Sequence, residues 1–133
     1  MEMKELQSMY LDLLKEEGYK GNIDEDGDIA FKYEGKTYWI IIDEEEPEFF
    51  ALYYGSIWGF QDDGDILKGL RAANAINKNK RLIKMYIDEE EDSIGVDVEL
   101  FVQEPKDFVS YLLRSLCMIQ ETIYSFSRDM EKK

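Results

Sequence analysis

The residues that come nearest to a chemical motif are Asn22-Ile23-Asp24-Glu25-Asp26-Gly27-Asp28-Ile29. Oxygen ligands at alternate positions, a glycine for the turn and an apolar residue two places on make up the first half of a calcium-binding loop. The second half fails. The twelfth position, which must supply a bidentate Glu, is Tyr33, and the residues that should open a helix read as a strand. A polar turn is therefore expected here, and neither a metal nor a cofactor is assigned.

Nucleophilic chemistry finds less material still. The chain has no histidine, which excludes Ser-His and Cys-His pairs and histidine-ligated zinc. Its one cysteine, Cys117, falls among Leu113, Leu116 and Ile119 on a predicted helix and reads as a small core residue of blunted reactivity. Neither a Walker-type phosphate loop nor a GxGxxG fingerprint occurs. With 30 acidic side chains some two fall near each other by chance, so a paired-carboxylate hydrolase does not follow from number alone. No catalytic residue is assigned, and the expectation is a protein that is not an enzyme.

The elements that would carry any site follow from periodicity. Leu6, Met9, Tyr10, Leu13 and Leu14 recur at helical spacing from Lys4 to Gly18. Ile29, Phe31 and Tyr33 alternate with polar partners from Asp28 to Glu34, which predicts a half-buried strand. Glu34-Gly35 reads as a tight hairpin leading into Lys36 to Asp43, whose apolar run from Tyr38 to Ile42 predicts a central strand covered on both faces. Phe49 to Gly55 makes a third antiparallel strand, and a turn-rich passage from Gly59 to Gly64 leads to a second helix over about residues 65–77, with Ile66, Leu67, Leu70 and Ala73 inward. A second hairpin follows, Arg81 to Asp88 with Ser93 to Val102, and a last helix runs from Pro105 to about Arg128. The order α-β-β-β-α-β-β-α predicts an α+β domain spanning 1–133, a mainly antiparallel five-stranded sheet against helices.

Composition bounds the partners. The chain has 133 residues, 44% hydrophobic and 14% aromatic, and a net charge of −14, which fits one globular domain and opposes nucleic acid or an anionic membrane as partner. No apolar run approaches the roughly 20 residues of a membrane span, and the first residues do not resemble a signal peptide, so the expected compartment is the cytoplasm. The charge is unevenly spread: residues 1–60 hold 5 basic and 15 acidic side chains, and residues 105–133 hold 5 and 4.

Between Asp65 and Asp88 there is no acid, while Lys68, Arg71 and Lys78 share one face of the predicted second helix. That stripe is either a solvated face balanced by the chain's own acidic loops or a docking surface for an acidic peptide or a second subunit. In the last helix the apolar arc is unusually wide: Phe108, Leu112, Leu116, Ile119, Ile123 and Phe126 form a stripe that Tyr111, Leu113, Cys117, Met118 and Tyr124 extend. The surplus calls for the first helix, a second copy or a client. Tyr53, Tyr54, Trp58 and Phe60 are either plugs at the end of the sheet or anchors of a recognition surface.

The run Asp26-Gly27-Asp28-Ile29-Ala30-Phe31-Lys32-Tyr33-Glu34-Gly35-Lys36, with Asp43, Pro47, Phe49-Phe50, Ala72-Ala73-Asn74, Asn77, Pro105 and Phe108, resembles the YbjN-type family of bacterial sensory-transduction regulators. That family is similar in fold to the type III secretion chaperones, small acidic dimeric proteins that bind segments of other proteins. The resemblance covers almost the whole chain, strengthens the architecture and transfers no catalytic residue. It implies a chaperone-like or regulatory protein-binding module, with a protein or peptide client and a homodimer as expected partners. The residues expected to meet a partner are Lys68, Arg71, Lys78, Tyr54, Trp58, Phe60, Tyr111 and Met118. The alternative is a small-molecule-binding protein or hydrolase with its pocket beside Trp58, Tyr54 and the carboxylates.

Overall fold

In the computed structural model, which describes residues 1–132, the chain runs α1 (Met3–Glu16), β1 (Asn22–Ile23), β2 (Ile29–Tyr33), β3 (Lys36–Ile41), β4 (Phe49–Gly59), α2 (Asp63–Asn79), β5 (Ile83–Asp88), β6 (Ser93–Phe101), a 3-10 turn (Pro105–Phe108) and α3 (Val109–Glu131). The strands form one antiparallel sheet in the order β1-β2-β3-β4-β6-β5. The α+β class and helix-against-sheet layering are as expected, with six strands rather than five. The sixth is β1, a two-residue bridge pairing Asn22 with Ala30 and Ile23 with Ile29, too short to leave a periodic signal.

The Glu34-Gly35 hairpin forms as predicted, with φ of +50° and +80° and Tyr33 paired to Lys36. Because side chains alternate across a strand, register then sorts the whole sheet into two faces. Ile29, Ile40, Leu52, Val98 and Ile83 align in one inward row, next to Phe31, Tyr38, Tyr54, Val96 and Met85 in another. On these rows the helices lay Leu6, Tyr10 and Leu14 of α1 and Leu112, Leu116, Ile119 and Phe126 of α3. Phe108 joins them, its ring 4.5 Å from Tyr10 and 5.7 Å from Phe50.

Four expectations need correction. The strand read as ending at Gly55 continues to Gly59 through a bulge between Tyr54 and Trp58, where Ser56 takes a φ of +55°. Trp58 therefore belongs to β4. In α2 the buried positions are Gly69, Ala73 and Ile76, whereas Leu67 and Leu70 are 52% and 48% exposed. The Phe60 ring occupies the space a side chain at residue 69 would need, so small residues face it and the leucines are turned out. Cys117 is exposed, not core. And β3 is covered on one face only: Trp39 and Ile41 belong to the helix-free side, where Ile41 is exposed.

Among the described residues no helix is long and apolar enough to cross a membrane.

Candidate functional site

The eight residues expected to meet a partner fall into three settings. Trp58 and Phe60 are half-buried against the core, Trp58 edge-on to Phe126 at 6.4 Å and Phe60 under α2 at Gly69. Tyr54 lies on the helix side, 5.1 Å from Tyr38, with the Lys36 ammonium 5.9 Å from its ring. These three fill the rim of the core. Lys68 is committed within the chain: its ammonium donates to the carbonyl of Met130 at 2.7 Å and to that of Lys132, at the negative end of α3.

Arg71 and Lys78 stand exposed on the outward face of α2, beside Leu67, Leu70 and Asn74. Asn77 faces the strand instead, donating to the Met85 carbonyl at 3.2 Å and accepting from its N–H at 2.9 Å, which clamps α2 to β5. On α3, Tyr111 is exposed, and half-buried Met118 lines a groove of about 480 Å³ with Asn79, Lys80, Arg81, Arg114 and Glu121. The surplus apolar arc of α3 is met by α2 on one flank, while Leu113 and Tyr124 remain 58% and 67% exposed.

Asp24, Asp26 and Asp28 do converge, with one carboxylate oxygen from each within 4.8 Å of the others. Their hydrogen bonds explain the cluster as turn architecture. Asp24 Oδ1 accepts from the N–H groups of Asp26 and Asp28 at 2.9 Å, and Asp28 Oδ1 accepts from the Ile42 N–H at 2.8 Å. Burial, with the Asp24 and Asp26 charges, raises the Asp28 pKa, and the Ile42 bond opposes the rise.

A feature absent from the sequence reading lies on the helix-free face. Trp39, Tyr53, Asp97 and Lys84 follow one another across β3, β4, β6 and β5 in a single register row. The Tyr53 ring lies between Trp39, at 6.3 Å, and Tyr86, at 6.2 Å and nearly parallel. It reaches Tyr86 across β6 because residue 95 is glycine: a Cβ there would sit 2.8 Å from the Tyr53 hydroxyl. Around these rings opens a trough of about 780 Å³, bordered by Asp24, Asp26 and Asp28 at one end and Asp88 and Glu91 at the other.

Asp97 is sunk beside this row, 5% exposed, with Oδ1 buried and without a hydrogen-bond partner among the described residues. Burial foremost, then repulsion by Glu99, pushes its pKa up to about 7, although the Lys84 ammonium 4.0 Å away pulls the other way. Lys84 is held more closely by Glu99, at 2.9 Å. Burial and the surrounding carboxylates likewise raise the Tyr53 and Tyr86 phenols, so both rings stay neutral. Parity could have pointed here, since Trp39, Tyr53 and Tyr86 all sit at outward positions, but pairing of strands so far apart in sequence is not written in any local pattern.

The sequence over residues 11–110 matches the YbjN family, described as "Putative bacterial sensory transduction regulator". The chain belongs to the YbjN family. No protein of curated function matches its sequence. Its fold is similar to that of a crystal structure of "YbjN, a putative transcription regulator from E. coli", at 15% identity and a TM-score of 0.68, over 88% of this chain and 87% of that one. It is similar, too, to a chain of the HopA1–SchA chaperone–effector complex, at 15% identity and a TM-score of 0.65, over 95% and 97% of the two chains. A third likeness is an uncharacterized protein from Methanothermobacter thermautotrophicus, at 14% identity and a TM-score of 0.58, over 94% and 99%. At these identities the likeness is one of fold, which this YbjN-family chain shares along nearly its whole length with a member of a chaperone–effector complex.

Proposed function

We propose that this YbjN-family chain is a non-enzymatic protein-binding module, chaperone-like or regulatory, that holds a client polypeptide and pairs with a second copy of itself. The observation that carries the reading is the outward face of α2, where Leu67 and Leu70 stand about half exposed beside Arg71 and Lys78. Apolar side chains beside cations on the longest acid-free stretch of a chain with a charge of −14 suit a partner surface that is apolar at its centre and acidic at its rim. The chain itself carries such acids in abundance, which is why a second copy is a suitable occupant. Exposed Leu113 and Tyr124 on α3 offer a further apolar surface for a client. The shared fold with a chain of a chaperone–effector complex supports the same reading.

Sedimentation velocity across a concentration series tests it. Wild type is expected to sediment as a dimer, and Leu67→Glu with Leu70→Glu as a folded monomer. Unchanged sedimentation of that variant would remove α2 from the account.

A further inference from the structure

We propose that the trough on the helix-free face seats a short, extended segment of a client polypeptide in which every second residue is lysine or arginine. The proposal rests on the protein-binding reading and names the chemistry of what is bound. Three observations carry it.

The first is that the floor is built in advance. Gly55 and Gly95 each leave room that a Cβ would take from Tyr53, so the ring lies flat between Trp39 and Tyr86. A row of neutral rings on an open sheet face, Tyr53 stacked with Tyr86 and Trp39 tilted against it, suits an aliphatic stem with a cationic head.

The second is charge. Five carboxylates border the trough against one ammonium, that of Lys36, and they lie diagonally across the sheet, in the turn before β2 and at the end of β5 with the turn that follows it. Lys84 shows the same recognition within the chain: its ammonium lies 5.5 Å from the Tyr86 ring centre and 2.9 Å from Glu99. A cation arriving from outside meets the same pairing of ring and carboxylate.

The third is spacing. Alternate side chains of an extended polypeptide stand roughly 6.7 Å apart on one side. The ring centres are 6.3 and 6.2 Å apart, so successive same-side residues meet successive rings. A volume of about 780 Å³ admits a few residues of such a segment rather than a folded surface.

The test is fluorescence anisotropy of a labelled octapeptide of alternating lysine and serine, at roughly 0.15 M salt so that diffuse attraction is screened. Wild type is expected to bind it more tightly than a peptide of the same composition with four lysines in one block. Tyr86→Leu, and Asp26→Asn with Glu91→Gln, are each expected to weaken binding about ten-fold, with melting by circular dichroism confirming the fold. Glu16→Gln with Glu17→Gln, which removes the same charge from the end of α1, is expected to change affinity less than about two-fold. Equal affinity for alternating and block peptides, or equal loss in the α1 pair, overturns the proposal. So does competition by spermidine as effective as that of the unlabelled octapeptide, which assigns the trough to small polycations. No binding by wild type also overturns it, and leaves the α2 reading to stand or fall on sedimentation.

Discussion

The Tyr53 hydroxyl lies 2.8 Å from where a Cβ on residue 95 would be, so the glycine of β6 and the tyrosine of β4 are matched to each other. Gly95→Ala forces the ring off its platform. Residue 95 has no left-handed backbone to strain, so the cost is overpacking alone, about 1–3 kcal/mol. Urea denaturation is expected to show that loss, and to show most of it recovered in Gly95→Ala with Tyr53→Ala, measured against Tyr53→Ala alone. Additive losses would mean that the two residues are independent.

Asp97 makes stability depend on pH. An unfolded aspartate titrates near 3.9, and burial raises Asp97 to about 7 in the folded chain. The folded state thus binds the proton more tightly, and the contribution is complete below about pH 4 and lost as pH rises through about 7. Denaturation at pH 5 and pH 8 is expected to show wild type losing on the order of 2 kcal/mol relative to Asp97→Asn. Parallel pH profiles for the two proteins would contradict the assignment.

Lys68 and its neighbours on α2 separate by role. Removing the ammonium that holds the Met130 carbonyl, in Lys68→Met, is expected to cost about 1–2 kcal/mol. Arg71→Ala and Lys78→Ala, which touch solvent, are expected to stay within about 0.5 kcal/mol of wild type. A Lys68→Met variant as stable as the others would return Lys68 to the docking surface.

Asn77 is expected to behave as a clamp. Asn77→Ala leaves the Met85 N–H and carbonyl without their partner and should cost about 1–3 kcal/mol, against little for exposed Asn74→Ala. Equal melting temperatures for the two variants would show that water replaces the amide.

The parts of this fold that could be read from the sequence are those set by local periodicity. Ile29, Phe31 and Tyr33 alternate, Glu34-Gly35 supplies the positive φ of its turn, and the Phe108–Phe126 stripe marks the buried side of α3. What could not be read depends on neighbours. Ser56 at positive φ interrupts the alternation of β4 and makes a bulge look like an ending. Leu67 and Leu70 look like core until Phe60 is seen against Gly69. The platform of Trp39, Tyr53 and Tyr86 exists only once β3, β4, β6 and β5 are in register, which no single segment encodes.

The central claim is that the chain acts by holding other polypeptides through the outward face of α2. Its most direct measurement is quantitative affinity capture from native lysate with wild type and with Leu67→Glu/Leu70→Glu, both confirmed folded. The account predicts that wild type retains a defined set of proteins, this chain's own copy among them, and that the copy is lost from the variant. Identical sets for the two baits, or none for either, would contradict it.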